Sequence, residues 1–232
     1  MVALSPSREY IADSFVFRAA LRREKLAARM ALDEKTHSAL STRLEAHLSA
    51  LLTPLRPQIL AFCAPVRGEF DARPLASTLI ERGWQAAMPI VQATNAPMIF
   101  RTWTPSSAMN TDRHNIPFPS TGPTVIPTIV LLPLVAFDTQ GFRLGYGGGY
   151  FDQTLAILVP RPLAIGVGFE LGHVNDIWPQ PHDIPLDAVL TEAGIVRHAQ
   201  AGRTLDLWQS LNASDLASVA ISVNHDNKEG LT

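Results

Sequence analysis

The sequence predicts an α/β protein, a three-layer sandwich with a mainly parallel sheet flanked by helices. Stretches with helical periodicity alternate with short unbroken apolar runs, and such runs are typical of strands buried on both faces. Of the 232 residues, 47% are hydrophobic and 17% are charged, a balance that is ordinary for a globular protein with a full core. We expect one α/β domain over residues 1–200 and a polar tail over 201–232 that is mobile or loosely packed.

Two helices are predicted at the start of the domain. Ser14 is a candidate cap for the first, which runs to about Met30. The second begins at Asp33, carries a stripe of alanine and leucine at helical spacing and ends at Pro54. The first helix also carries four cations at three- and four-residue spacing, which places them on one face: Arg18, Arg22, Lys25 and Arg29.

The remaining elements alternate along the chain. We predict helices over 72–82 and 152–158, and strands over 58–64, 84–89, 98–103, 129–133, 163–167, 189–190 and 195–196. The segment 104–127 is polar and rich in proline, which predicts a long loop. This alternation of strands and helices is the one that builds a parallel sheet with helices on its faces.

Composition and missing motifs exclude several classes of protein. The net charge is −2, so nothing favours binding to nucleic acid or to an anionic membrane. The only cysteine, Cys63, cannot form an internal disulfide, and the most apolar run, residues 128–137, is too short to span a bilayer. No HxxxH or Cys/His cluster indicates a zinc site, and no GxSxG motif indicates an α/β-hydrolase. We expect a cytoplasmic monomer that acts on small molecules.

Residues 143–152, RLGYGGGYFD, concentrate glycine and chemically active side chains. They lie between a predicted strand and a predicted helix, which in an open α/β sheet is where ligands bind. Glycines allow backbone N–H groups to approach a phosphate closely, and a helix N-terminus favours its negative charge. The segment lacks the GK[ST] of a Walker loop, and Tyr150 replaces the third glycine of the dinucleotide fingerprint. A phosphate cradle and a tight strand-to-helix turn both remain open.

The last three residues of this segment each allow two interpretations. Tyr150 and Phe151 could stack on a flat ligand or fill the core beneath the helix, and we favour the core for Phe151. Asp152 could hold Mg²⁺ beside phosphate oxygens or cap the helix. Taken alone, the capping interpretation of Asp152 is the simpler one.

Four segments, in chain order, resemble one known family. They are the basic helix start RAALR (18–22), APVRGEFD (64–71), PLVAFDTQGFRLGYGGGYFD (133–152) and PHDIPLDAVLTE (181–192). On these segments the chain, from about residue 17 to 196, resembles the 5-formyltetrahydrofolate cyclo-ligases, also called methenyltetrahydrofolate synthetases. Four matches in the same order are more specific than any one of them alone.

The resemblance implies a ligase of one-carbon metabolism that depends on ATP and Mg²⁺. The family converts 5-formyltetrahydrofolate into 5,10-methenyltetrahydrofolate and releases ADP and phosphate. The formyl oxygen takes the γ-phosphoryl group, and nitrogen 10 of the folate then attacks the iminium phosphate. Phosphorylation turns a poor leaving group, an amide oxygen, into a good one. Such a transfer mainly requires positioning and charge neutralisation.

The resemblance also implies roles for individual residues. The ATP site is expected at Arg18, Arg22, Arg143, Leu144, Gly145, Tyr146, Gly147, Gly148, Gly149, Tyr150 and Phe151. The folate site is expected at Ala64, Glu69, Met98 and Tyr150, and the Mg²⁺ ligands are expected to be Asp152 and Asp183. Arg143 and Tyr150 are the expected catalytic residues.

Some of these residues have simpler explanations. Arg18 and Arg22 could form a solvated helix face. Glu69 could cap the helix near Ala72, because acids favour helix starts. Asp183 could serve the turn that follows it.

The chain departs from the family at a few positions. Tyr146 and Gly148 replace basic residues that some members carry, Phe151 replaces a second tyrosine, and Phe118 replaces an acidic residue in a loop. ATP contacts would then depend more on backbone N–H groups and on the arginines. Other functions stay open: a sugar-phosphate or acyl-CoA enzyme on a related scaffold, or a non-catalytic protein that binds folate or nucleotide.

Overall fold

The structure, a computed structural model, describes residues 8–198. Its α-helices are α1 (Arg8–Met30), α2 (Glu34–Leu52), α3 (Arg73–Glu81) and α4 (Tyr150–Ile157), and a short 3₁₀ helix covers Glu170–Gly172. Its strands are β1 (Ile59–Ala61), β2 (Gln85–Ile90), β3 (Ile99–Trp103), β4 (Met109–Thr111), β5 (Pro117–Pro119), β6 (Thr124–Val125), β7 (Ile129–Pro133), β8 (Ala136–Asp138), β9 (Arg143–Leu144), β10 (Leu163–Val167), β11 (His173–Val174), β12 (Ala188–Thr191) and β13 (Gly194–Arg197).

An eight-stranded sheet forms the middle layer, in the order β13-β12-β10-β7-β1-β2-β3-β6. The five central strands, from β12 to β2, run parallel, and only the strands at the two edges are antiparallel. This arrangement confirms the predicted α/β class with its mainly parallel sheet. Strands β7 and β10 also have the predicted bounds.

Helices cover both faces of the sheet. On one face, α2 buries Leu44, Leu48 and Leu52 completely, at the four-residue spacing that the sequence predicted. The helix begins after Asp33 as predicted, because the Asp33 carboxylate accepts a hydrogen bond of 2.9 Å from the Thr36 amide. On the other face, α4 contributes Leu155 to a second apolar cluster.

The prediction that Ser14 caps the first helix was wrong. Helix α1 runs through Ser14 without interruption, and Ser14 is buried, with its hydroxyl accepting a hydrogen bond of 2.6 Å from Gln180. A serine hydroxyl can cap a helix or bond within a packed interface, and tertiary packing selects between these roles.

The prediction of a long loop over 104–127 was also wrong. Strands β4 and β5 pair there as an antiparallel hairpin, and β6 joins the edge of the main sheet. Pro117 and Pro119 led to the prediction of a loop, because proline opposes a central strand. Proline is nevertheless compatible with a short edge strand, and these two residues lie in one.

The sequence predicted that the glycine-rich segment follows β7 directly, and this prediction was wrong. Strands β8 and β9 intervene and form a small sheet with β11. Arg143 and Leu144 therefore lie on β9, and the glycine loop is residues 145–149. Gly149, at φ 63°, caps α4, so the interpretation of Asp152 as the cap was wrong.

Helix α1 packs on this small sheet, where Leu21 contacts the cluster that contains Leu144. Across residues 8–198, no helix is long and apolar enough to cross a bilayer. The predicted tail, residues 201–232, lies outside the described residues.

Candidate active site

The carboxyl ends of the central strands bring the four resemblance segments together. The carboxyl ends of parallel strands lie along one side of the sheet, and α1 passes over these strand ends. Contacts between distant parts of the chain place the segments there: Arg18 forms an ion pair with Asp183, and Arg22 donates to the Gly145 carbonyl. The site is therefore built from α1, the loop after β1, the glycine loop and the segment before β12.

The cations of α1 point into the protein, so the solvated-face interpretation was wrong for them. The Arg22 Nε donates to the Gly145 carbonyl at 2.7 Å, and the Lys25 Nζ donates to the Leu171 carbonyl at 3.0 Å. Arg18 also donates to the carbonyl of Trp178 at 3.2 Å. Burial, together with the charge of Arg18, lowers the pKa of the Arg22 guanidinium. Two neighbouring cations beside an exposed loop favour the binding of an anion.

The glycine loop presents bare backbone beside Arg22. Gly147 has φ +101°, and a Cβ added there would lie 3.7 Å from the Arg22 guanidinium carbon. Gly148 is exposed, and a Cβ there would overlap the Tyr150 ring at 2.6 Å. Two positions thus require glycine, one for its backbone conformation and one for close approach. The exposed amides of such a loop can bind phosphate oxygens.

Arg143 and Asp152 form a buried ion pair that joins the glycine segment to the Asp183 segment. Arg143 Nη2 lies 3.0 Å from Asp152 Oδ2, and Nη1 donates to the Ile184 carbonyl at 3.1 Å. Asp152 Oδ1 accepts from the Ile184 amide at 3.0 Å. Arg143 therefore contacts both the carboxylate of Asp152 and the backbone next to Asp183. It fixes the two segments relative to each other.

Asp183 makes both a turn contact and an ion pair. Its carboxylate accepts from the Gln180 amide at 2.7 Å, in the turn before Asp183 and not in the expected turn after it, and it also pairs with Arg18. Within the described part of the chain, no three His, Cys, Asp or Glu side chains group as a ready-made metal site. Asp152 and Asp183 nevertheless fit Mg²⁺ beside a phosphate, because that ion usually takes one or two carboxylates and completes its shell with phosphate and water oxygens.

Glu69 is buried and points toward the glycine loop, so the interpretation as a cap for α3 was wrong. Its Oε1 accepts a hydrogen bond of 2.6 Å from the Tyr146 hydroxyl, and its Oε2 accepts one of 3.0 Å from the Val66 amide. The Arg29 guanidinium lies 3.7 Å from Oε1. Desolvation raises the pKa of Glu69, against the lowering effects of Tyr146, Val66 and the Arg29 charge. Glu69 borders a cavity at the ends of β1 and β7.

The other predicted residues divide between this edge and the core. Ala64 is buried just after β1, and Met98 is buried with its amide donating to Thr154 at 2.9 Å, four residues along α4 from Tyr150. Leu144 is fully buried and Phe151 packs on the core, as we favoured for Phe151. Their side chains therefore serve the fold at this edge.

Two residues of the site were missed by the sequence analysis. Arg29 is buried and donates to the Leu134 carbonyl at 2.6 Å and to the Tyr146 hydroxyl at 2.6 Å. Its helical spacing from Arg18 and Arg22 was the available signal. His114, at the tip of the β4–β5 hairpin, lies 3.3 Å from the Tyr150 hydroxyl, and no sequence pattern indicated this contact.

Comparisons with known proteins show the family to which the sequence and the fold are similar. The sequence model of the 5-formyltetrahydrofolate cyclo-ligase family matches residues 16–192. The 5-formyltetrahydrofolate cyclo-ligase of Escherichia coli K12 is 31% identical over 135 residues, which are 55% of this chain and 74% of the relative.

Two solved structures are similar to the fold. The 5,10-methenyltetrahydrofolate synthetase of Aquifex aeolicus superposes with a TM-score of 0.67 at 26% identity, covering 79% of this chain and 94% of that one. The 5,10-methenyltetrahydrofolate synthetase of Mycoplasma pneumoniae superposes with a TM-score of 0.61 at 25% identity, covering 75% of this chain and 98% of that one.

Proposed function

The chain belongs to the 5-formyltetrahydrofolate cyclo-ligase family, and we propose that it converts 5-formyltetrahydrofolate and MgATP into 5,10-methenyltetrahydrofolate, ADP and phosphate. The observation that carries this proposal is the contact of Arg22 with the glycine loop, next to the ion pair of Arg18 and Asp183. A nucleoside triphosphate requires cations, free backbone amides and a carboxylate close together, and all three lie at the same ends of the strands.

The reaction moves a phosphoryl group and then closes a ring. The formyl oxygen bonds to the γ-phosphorus while the bond from that phosphorus to ADP breaks. Nitrogen 10 then attacks the formyl carbon, and the carbon–oxygen bond breaks as phosphate leaves with the proton that nitrogen 10 gives up. The charge that builds on the transferred group needs nearby cations, and Arg18 and Arg22 supply them in this proposal.

We assign the ATP site to Arg18, Arg22 and the loop from Gly145 to Gly149. The loop amides bind phosphate oxygens, and Arg143 acts by holding Asp152 in place through their ion pair. Asp152 and Asp183 would hold Mg²⁺, which supplies charge neutralisation at the phosphates when bound.

We assign the folate site to Glu69, Ala64, Met98 and Tyr150. A carboxylate can accept paired N–H bonds from a pterin, and the Glu69 carboxylate is held in place by the Tyr146 hydroxyl and the Val66 amide. Tyr150 offers a ring on which a flat ligand can stack, and its hydroxyl contacts His114.

The proposal is tested by turnover. Purified protein is mixed with 5-formyltetrahydrofolate and MgATP, and the near-ultraviolet absorbance of the methenyl product is followed with time. We expect this absorbance to increase only when both ATP and Mg²⁺ are present. Asp152→Asn is expected to lose at least about a hundredfold in turnover while the protein remains folded, because it weakens the ion pair with Arg143 and the ligation of Mg²⁺.

Asp71→Asn is the control, because it makes the same substitution in an exposed ion pair, that of Asp71 with Arg73 at 2.7 Å. We expect this variant to keep the wild-type rate. Absence of product from folded wild-type protein would reject the proposed reaction. A near-normal rate in Asp152→Asn would reject only the Mg²⁺ assignment.

A further inference from the structure

The hydroxyl of Tyr146 joins the glycine loop to the carboxylate of Glu69. It donates to Glu69 Oε1 at 2.6 Å and accepts from Arg29 Nη2 at 2.6 Å. We propose that Tyr146 is a positioning residue that couples nucleotide binding at the glycine loop to folate binding at Glu69. This inference rests on the proposed function.

The direction of the two hydrogen bonds is fixed by chemistry. A guanidinium can only donate, so the Tyr146 oxygen must be the acceptor of its bond with Arg29. An ionised carboxylate can only accept, so the hydroxyl hydrogen is directed at Glu69. The result is a polarised chain from Arg29 through Tyr146 to Glu69, in addition to the direct approach of Arg29 to Glu69 at 3.7 Å.

Other contacts hold Arg29, the first donor in this series of hydrogen bonds, in place. Arg29 is anchored by the carbonyls of Arg67 at 3.0 Å and Leu134 at 2.6 Å, so it cannot follow the glycine loop if that loop moves. The Arg67 guanidinium lies 5.4 Å from the centre of the Tyr146 ring, as a cation–π contact. Glu69 and Arg29 are therefore the fixed parts, and Tyr146 is the part that the loop can carry toward or away from them.

Tyr146 stands between Gly145 and Gly147 in an exposed part of the loop. Arg22 holds the Gly145 carbonyl, and Gly147 adopts a backbone conformation that favours glycine. Phosphates bound to the loop amides would restrict this backbone and, with it, the Tyr146 hydroxyl. A fixed hydroxyl holds one oxygen of Glu69, while a carboxylate still has further lone pairs for the N–H groups of a ligand. Nucleotide binding should therefore tighten folate binding.

The test measures the dissociation constant of 5-formyltetrahydrofolate by calorimetry, with and without a saturating non-hydrolysable ATP analogue and Mg²⁺. We expect the analogue to tighten folate binding in the wild type by about tenfold, within the usual range of coupling between sites. In Tyr146→Phe the coupling should fall below about twofold. Tyr146→Leu provides a second variant without the hydroxyl.

Thr42→Val is the control, because it removes an exposed hydroxyl of α2 that donates to the Ser38 carbonyl and belongs to neither proposed binding site. Its coupling should remain at the wild-type value. No coupling in the wild type, weaker folate binding with the analogue, or unchanged coupling in both Tyr146 variants would overturn the inference. Failure of the wild type to bind folate or the analogue at all would instead count against the proposed function.

Discussion

At the scale of single residues, Glu69 combines burial with an ionisable group. A buried carboxylate is costly to ionise, and hydrogen bonds from Tyr146 and Val66 offset only part of that cost. Local sequence could not reveal the contact with Tyr146, because Tyr146 lies 77 positions away. In the proposed function, the remaining lone pairs of Glu69 accept N–H bonds from the folate, which would explain why a buried carboxylate is kept at this position.

We predict that Glu69→Gln changes how stability depends on pH. The raised pKa of Glu69 means that the folded protein binds more protons than the unfolded chain above about pH 4.5, the ordinary value for this group. Ionisation of Glu69 therefore lowers stability as the pH rises through this window. Glutamine lacks this titration, so the free energy of unfolding of the variant, relative to wild type, should increase from pH 4.5 towards pH 7 in urea titrations.

Asp71→Asn is the control of opposite sign. Burial opposes the shift, but the hydrogen bonds and charge of Arg73 lower the pKa of Asp71 below its ordinary 3.8. That stabilisation is present above pH 3.8 and is lost as the pH falls through the lowered pKa, so its removal costs most near neutral pH. A relative stability of Glu69→Gln that stayed flat or fell with rising pH would contradict the raised pKa.

At the scale of elements, α1 delivers cations to three separate segments. Arg18, Arg22 and Arg29 reach the Asp183 segment, the glycine loop and the Glu69 loop respectively. A straight helix places residues four and seven apart on one face, so one element can line the whole edge of the sheet. The helix is thus both a packing element, through Leu21, and the proposed source of charge for the phosphates.

We predict that Arg22→Ala raises the KM for ATP by about tenfold and the KM for folate by much less, because it removes a charge-assisted contact at the phosphates. Arg23→Ala is the matched control, since Arg23 is the neighbouring arginine on the exposed side of α1. Steady-state kinetics with each substrate varied in turn distinguishes the two constants. A larger effect on the folate KM would remove Arg22 from the phosphate site.

The glycine loop allows a comparison between two positions that differ in geometry. Alanine at Gly147 would be strained at φ +101° by about 1–2 kcal/mol, and its Cβ would contact the Arg22 guanidinium. Gly145 has open space where a Cβ would be added, and its φ lies outside the left-handed region. We expect Gly147→Ala to lower kcat/KM for ATP by about tenfold, with a smaller loss in Gly145→Ala. Equal losses would mean that backbone conformation at Gly147 does not matter.

At the scale of the whole molecule, the order of the sheet determines where the site can form. Strands β1, β7 and β10 are neighbours although they lie far apart in the chain, so the loops that follow them meet at one edge. The proposed site residues all lie between Arg18 and Asp183. Residues beyond the last strand supply none of them.

We therefore predict that a chain ending at residue 200 keeps its turnover within about twofold of the full chain, since it retains all the strands described within residues 8–198 and every proposed site residue. Turnover and melting temperature of the two chains, compared side by side, provide the measurement. Loss of activity with an unchanged melting temperature would assign a direct role to residues 201–232.

The sequence by itself determined the α/β class, with its mainly parallel sheet, and the positions of several elements. Helical periodicity located α2, and unbroken apolar runs located β7 and β10. Both signals depend only on residues that are close together in the chain. The tertiary structure decided which partners meet. Arg143 pairs with Asp152, Glu69 faces Tyr146 instead of α3, and a hairpin replaces the predicted loop over 104–127. These outcomes depend on the order of strands in the sheet and on packing between segments up to 166 positions apart, and no local pattern encodes such distances.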